Sequence, residues 1–160
     1  MRDNWSALLR IRDHRESRAR AQLQECKNQL EMCKRRVKLK RQSLARYRSW
    51  RASRETELFS QLQTQPVGLR TVEEYQATLT GLRAEEKNLL DQLQQARTAN
   101  TEAETLLEQA EISVQKAAKA KHKLLVLTAR QHQAEQRQRE YAEETELEEV
   151  ATLAFGVAKR

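Results

Sequence analysis

The chain has 160 residues and a formal net charge of +7; 33% of it is charged, 38% apolar and 4% aromatic, with three glycines and one proline. So little apolar and aromatic mass excludes a thick globular core, and the dominance of Ala, Glu, Lys, Leu, Arg and Gln over helix breakers is the composition of long, solvent-washed helices. No apolar run nears the roughly 20 residues that a bilayer span needs, and the start, MRDNWSALLRIRDHR, lacks the apolar segment of a secretory signal, so the mature chain is expected to begin here and stay in the cytoplasm.

The first predicted element is a helix over about residues 3–64. Alternate steps of four and three from Trp5 reach Leu9, Arg12, Glu16, Ala19, Leu23, Cys26, Leu30, Cys33, Val37, Lys40, Leu44, Tyr47, Arg51, Arg54 and Leu58. Most of these positions are apolar, which is the heptad pattern of a narrow seam between two helices. Cys26 and Cys33 sit on it seven residues apart, roughly 10 Å along a helix, too far for a disulfide with each other, and read as reduced seam residues. The same helix is strongly basic: residues 1–60 carry 17 Lys and Arg against 7 Asp and Glu, whereas residues 61–160 carry 13 against 16.

The periodicity breaks at LFSQLQTQPVGLRTVEEY, residues 58–75, which contains the only proline, Pro66, and also Gly68. Proline lacks an N–H and disfavours helix at Gln65, and Gly68 can supply a positive φ, so a turn is expected over 65–70. Thr71 and Glu74 then read as a capping box opening a second helix over about 71–155. Its seam runs Val72, Tyr75, Leu79, Leu82, Glu86, Leu89, Leu93, Ala96, Asn100, Ala103, Leu107, Ala110, Val114, Ala117, Lys121, Leu124 and Thr128, and Gly156 reads as its stop, with Lys159 and Arg160 beyond. The predicted fold class is therefore all-α: one elongated domain, residues 1–160, built as an antiparallel two-helix coiled-coil hairpin with a C-terminal helical overhang. A pivot near residue 65 brings Trp5 near Leu125, Leu30 near Asn100 and Lys40 near Glu86, and leaves everything past about Thr128 without a partner in its own chain. The polar seam residues read as snorkelling or register-setting, with a seam kept weak so that it can bend as the alternative.

No motif of catalysis, nucleotide binding or metal binding is present, and His14, His122 and His132 make no ligand-spaced set with the cysteines, so no catalytic, cofactor or metal residue is assigned and the chain is expected not to be an enzyme. Two regions read as surfaces for protein partners. Around the turn, Tyr47, Trp50, Phe59, Leu62, Val67 and Leu69 gather aromatic and apolar side chains that two helices have little means of covering; part of this cluster also reads as a plug closing the turn. At the other end REYAEETELEEVATLAFGVAKR turns from acidic to apolar, and Leu147, Val150, Leu153 and Phe155 lie on a stretch of helix that has nothing in this chain to pack on.

At YRSWR and ETELFSQLQTQPVGLRTVEEYQATLTGLRAEEKNLL, the sequence resembles the YscO family of type III secretion proteins, relatives of the flagellar export protein FliJ. The features that carry the resemblance are Tyr47, Trp50 and Arg51, then Leu58, Phe59 and Leu62, Gln65, Pro66 and Val67, and Glu74, Tyr75, Leu82, Arg83 and Leu89. The resemblance implies a central stalk for a secretion ATPase: the joined helix termini enter the pore of the ATPase hexamer and promote its activity, and the turn end faces an export-gate protein of the inner membrane. Secretion chaperones are further implied partners. The implied location is cytoplasmic, peripheral to the inner membrane, and the free protein is expected to be a monomer. A coiled-coil scaffold that oligomerises through its overhang, and a nucleic-acid-binding coiled coil drawn to phosphate by its basic helix, are the alternatives; no nucleic-acid partner is assigned.

Overall fold

A computed structural model describes residues 2–157, with side chains over 4–156. It contains two helices, α1 over Arg2–Thr64 and α2 over Leu69–Val157, which pack as an all-α hairpin. Both are built from Ala and straight-chain residues that lose little side-chain freedom in a helix, and the only proline falls between them. At the end of α1, Thr64 Oγ1 donates to the Gln61 carbonyl at 3.0 Å, satisfying one of the acceptors a helix end leaves open. Pro66 follows with no N–H to extend the ladder. The Gly68 carbonyl accepts from Val72 N–H at 3.2 Å, the first bond of α2, so Gly68 is its N-cap.

Three expectations about these ends are corrected. Helix α2 opens at Leu69 rather than Thr71, so Thr71 and Glu74 lie inside its first turns and do not cap it. Gly68 has no positive φ; the chain reverses through Gln65–Gly68 without a left-handed residue, because four residues suffice to do so. Gly156 is helical with no positive φ, and α2 continues through it to Val157 rather than stopping there; Lys159 and Arg160 lie outside the described residues.

The chain divides into two compact units. The unit Ala21–Glu111 holds the turn. Every seam position expected between residues 23 and 58, and between 72 and 110, is buried or half-buried. Its core is Cys26, Leu30 and Leu44 from α1 with Leu93, Ala96, Ala103 and Ala110 from α2, each no more than 9% exposed. Cys26 and Cys33 are both free thiols. The three alanines recur every seven residues and give α2 a low-profile face on which the larger α1 side chains seat. Lys40 Nζ donates to Gln92 Oε1 at 2.7 Å. The expected Lys40–Glu86 pair does not form; Glu86 is taken by Arg48, at 2.6 Å, and Arg51. The residue numbers of Lys40 and Gln92 add to 132 and those of Arg48 and Glu86 to 134, against the 130 expected, because the turn is centred between Pro66 and Val67 rather than at Gln65. Asn100 Nδ2 donates to Glu104 Oε1 at 3.0 Å, while its buried Oδ1 has no partner among the described residues.

The other unit, Met1–Arg20 with Ile112–Arg160, is organised around charge. Its seam positions 5, 9, 12, 16 and 19, and 114, 117, 121, 124 and 128, are again covered at least in part, but its most buried described side chain is Glu16. Glu16 accepts from Lys121 at 2.9 Å and from Arg20 at 2.5 Å, and Lys121 also reaches Asp13 at 2.6 Å. The Lys121 ammonium holds the Asp13 and Glu16 carboxyls below their ordinary range, and they in turn push Lys121 up. Trp5 lines a groove with Thr128, Gln131, His132 and Glu135, not with Leu125, and the overhang accordingly starts after Glu135 rather than Thr128. From 136 to 156 every side chain is exposed. That stretch of α2, to Val157, is about 33 Å long.

Candidate functional site

At the turn end, the six side chains expected to form one cluster separate into four groups. Tyr47 is on the seam: its hydroxyl donates to the Leu82 carbonyl at 2.8 Å, tying α1 to α2. Burial, reinforced by the Glu85 carboxylate nearby, keeps its phenol above its ordinary range, so it stays a neutral donor at any physiological pH. Trp50 touches it, ring centroids 5.5 Å apart and tilted by 42°, yet remains 53% exposed. Phe59 is equally bare but nine residues further on, which at about 100° per residue puts it on the opposite side of α1 from Trp50. Leu62 is half-buried and lines a shallow groove across the two helices with Leu58, Thr71 and Tyr75, whereas Val67 and Leu69 are open to solvent at the link itself.

The charged pair beside this end was not anticipated as a feature of it. Arg48 and Arg51, one turn apart on α1, converge on the Glu86 carboxylate, and Arg51 also reaches Glu55 at 3.2 Å. The Arg48 guanidinium, helped by Arg51, holds Glu86 below the ordinary carboxylate range. The signal in the sequence was the arginine and glutamate on seam positions 51 and 86; their pairing required the register.

In the C-terminal helix, Leu147, Val150, Leu153 and Phe155 are all exposed, none less than 63%. Leu147 and Val150 line one groove with Glu143 and Glu146, and Leu153 follows at the same three-residue spacing. Phe155 does not belong to that stripe, lying about 140° around the helix from Val150. The seam that packs against α1 continues past Thr128 as Gln131, Glu135, Gln138, Ala142, Thr145, Glu149, Thr152 and Gly156, a series without a large apolar side chain. The apolar stripe is thus not a continuation of the hairpin seam; it occupies a separate phase of α2.

The family model described as Type III secretion protein YscO matches residues 5–153 of this chain. The chain belongs to the YscO family. Its structure is similar to the crystal structure of type III secretion protein YscO from Vibrio parahaemolyticus, at 26% sequence identity, with 92% of each chain covered and a TM-score of 0.87. No curated protein matches it. Membership of the YscO family assigns the chain a role in type III secretion. No helix among its described residues is long and apolar enough to cross a membrane.

Proposed function

We propose that this YscO-family chain is a non-enzymatic central stalk of a type III secretion export apparatus, binding and stimulating the secretion ATPase hexamer through its C-terminal helix. The observation that carries the reading is the stretch from 136 to 156, helical and wholly exposed, with an apolar stripe out of phase with the seam. A single exposed helix of this length is marginal in water, and an acidic surface around Leu147, Val150 and Leu153 suits insertion into a ring lined with complementary charge. The stalk then couples by asymmetry: one pair of helices cannot match six equal subunits at once, so it stabilises different subunits in different nucleotide states.

The turn end, with Trp50, Phe59, Val67 and Leu69 uncovered, is the proposed contact for an inner-membrane export-gate protein and for secretion chaperones, from a cytoplasmic position against that membrane. Because Trp50 and Phe59 face opposite ways, two partner surfaces fit this end better than one. The test is co-purification with the cognate ATPase and measurement of its turnover. Removing residues 143–160 is expected to abolish stimulation while the hairpin keeps its unfolding midpoint. Unchanged stimulation would overturn the assignment of the C-terminal helix to the ATPase.

A further inference from the structure

A second stripe on α1, in the unit that holds the turn, is unused by the packing. Steps of four and three from Met32 reach Arg36, Leu39, Ser43, Arg46 and Trp50, so these six share one face over about 27 Å, separate from the seam face that carries Leu30, Val37, Leu44 and Tyr47. No described residue covers it: Met32 is 64% exposed, Leu39 62% and Trp50 53%. The stripe lies in a strongly basic stretch, residues 27–48, where nine Lys and Arg stand against one acid, Glu31. Three of the nine are engaged, Lys34 with Glu31, Lys40 with Gln92 and Arg48 with Glu86. Lys27, Arg35, Arg36, Lys38, Arg41 and Arg46 make no hydrogen bond or ion pair among the described residues.

We infer that this face of α1 docks on an anionic lipid surface, lying in the plane of the headgroups. Two features of the stripe select that partner. Arg36 and Arg46 on the stripe and Arg35 at its edge, without an ion-pair partner among the described residues, are drawn to a negative surface, each contributing about fivefold in partitioning when it sits near anionic lipid, whereas Lys27, Lys38 and Arg41 lie on other sides of α1. The uncovered Met32, Leu39 and Trp50, interleaved with arginines at helical spacing, give an apolar edge that a headgroup layer buries and a phosphodiester backbone does not, and Trp is the side chain favoured at that boundary. Attachment is peripheral, since no helix among the described residues can span a bilayer. It uses no part of the C-terminal helix and so stands or falls independently of ATPase binding.

The experiment is co-sedimentation of the full chain, without other proteins, with vesicles of phosphatidylcholine alone or with about 30% phosphatidylglycerol, at physiological salt. The anionic vesicles are expected to bind at least tenfold more protein, and Arg36→Glu with Arg46→Glu is expected to cut that binding by about 25-fold or more. Met32→Gln with Leu39→Gln is expected to cut it severalfold at unchanged charge. In a Trp5→Phe background, Trp50 emission is expected to shift to the blue on anionic vesicles. Circular dichroism of each variant checks that it remains helical; Lys38→Glu with Arg41→Glu, on the far side of α1 from the stripe, is expected to cut binding less than Arg36→Glu with Arg46→Glu, and an equal or larger loss would overturn the assignment to this face. Equal binding to neutral vesicles, indifference to the arginine changes, or DNA binding lost with Arg36 and Arg46 but untouched by Met32 and Leu39 would each overturn the inference.

Discussion

Leu44 and Trp50 are six residues apart on α1, and the structure assigns them opposite fates. Leu44 is 5% exposed in the core of the unit that holds the turn, and Trp50 is 53% exposed with Tyr47 as its ring neighbour. Truncating Leu44 to Ala removes buried methylenes and leaves a gap between α1 and α2. Core Leu→Ala changes cost about 2–5 kcal/mol, and a seam only two helices thick lets water reach the gap, so the lower end, about 2–3 kcal/mol, applies. Trp50→Ala gives up only half-covered surface and one tilted aromatic contact, about 1 kcal/mol. In urea unfolding followed by circular dichroism, with a slope of about 1–3 kcal/mol per molar, Leu44→Ala is expected to lower the midpoint by about 1 M or more and Trp50→Ala by less than half of that. The loss of partner binding should run the other way. If Trp50→Ala destabilises as much as Leu44→Ala, Trp50 is a structural side chain and both surfaces proposed to use it lose their anchor.

Tyr47→Phe removes the hydroxyl that donates to the Leu82 carbonyl, an acceptor that still lies within α2, and is expected to cost about 0.5–1.5 kcal/mol in the same assay. Glu86→Gln tests the arginine pair: the folded carboxyl titrates below its ordinary 4.5, so its contribution is present above that pH and is lost as pH falls through the depressed folded value. The stability gap between wild type and Glu86→Gln should therefore be widest at neutral pH and close in acid; a gap independent of pH would refute the ion-pair account. Lys121→Met should move the acid unfolding of the other unit to higher pH, because Asp13 and Glu16 lose the cation that holds them ionised. Gly81→Ala is expected to stabilise by about 0.5–1 kcal/mol, since Gly81 is helical, has no positive φ and has open space where a Cβ would go.

Much of this was legible in the sequence. The seam was visible because a two-helix contact repeats every seven residues, so the apolar pattern states directly which face of each helix is covered. The site of reversal was visible because proline removes a backbone donor wherever it occurs. By contrast, the caps at Thr71 and Gly156 were misread: each depends on backbone dihedrals, and an S/T-x-x-E spacing or a glycine after an aromatic also fits inside a helix. The two surfaces were only half legible. That Leu147, Val150 and Leu153 are exposed follows from counting residues past the turn, but the separation of Phe155 from them, and of Phe59 from Trp50, needs the helical phase carried through at 100° per residue.

Composition and periodicity alone determined that this chain is two helices joined at Pro66, with a covered face on each, because those properties are local and repeat along the chain. The tertiary structure decided the register: a turn of four residues set Lys40 on Gln92 and Glu86 under Arg48 and Arg51, about one helical turn from where a pivot at Gln65 would set them. That choice is made by the length of one link and by which side chains then interlock across the seam, and neither is written in the sequence of a single helix.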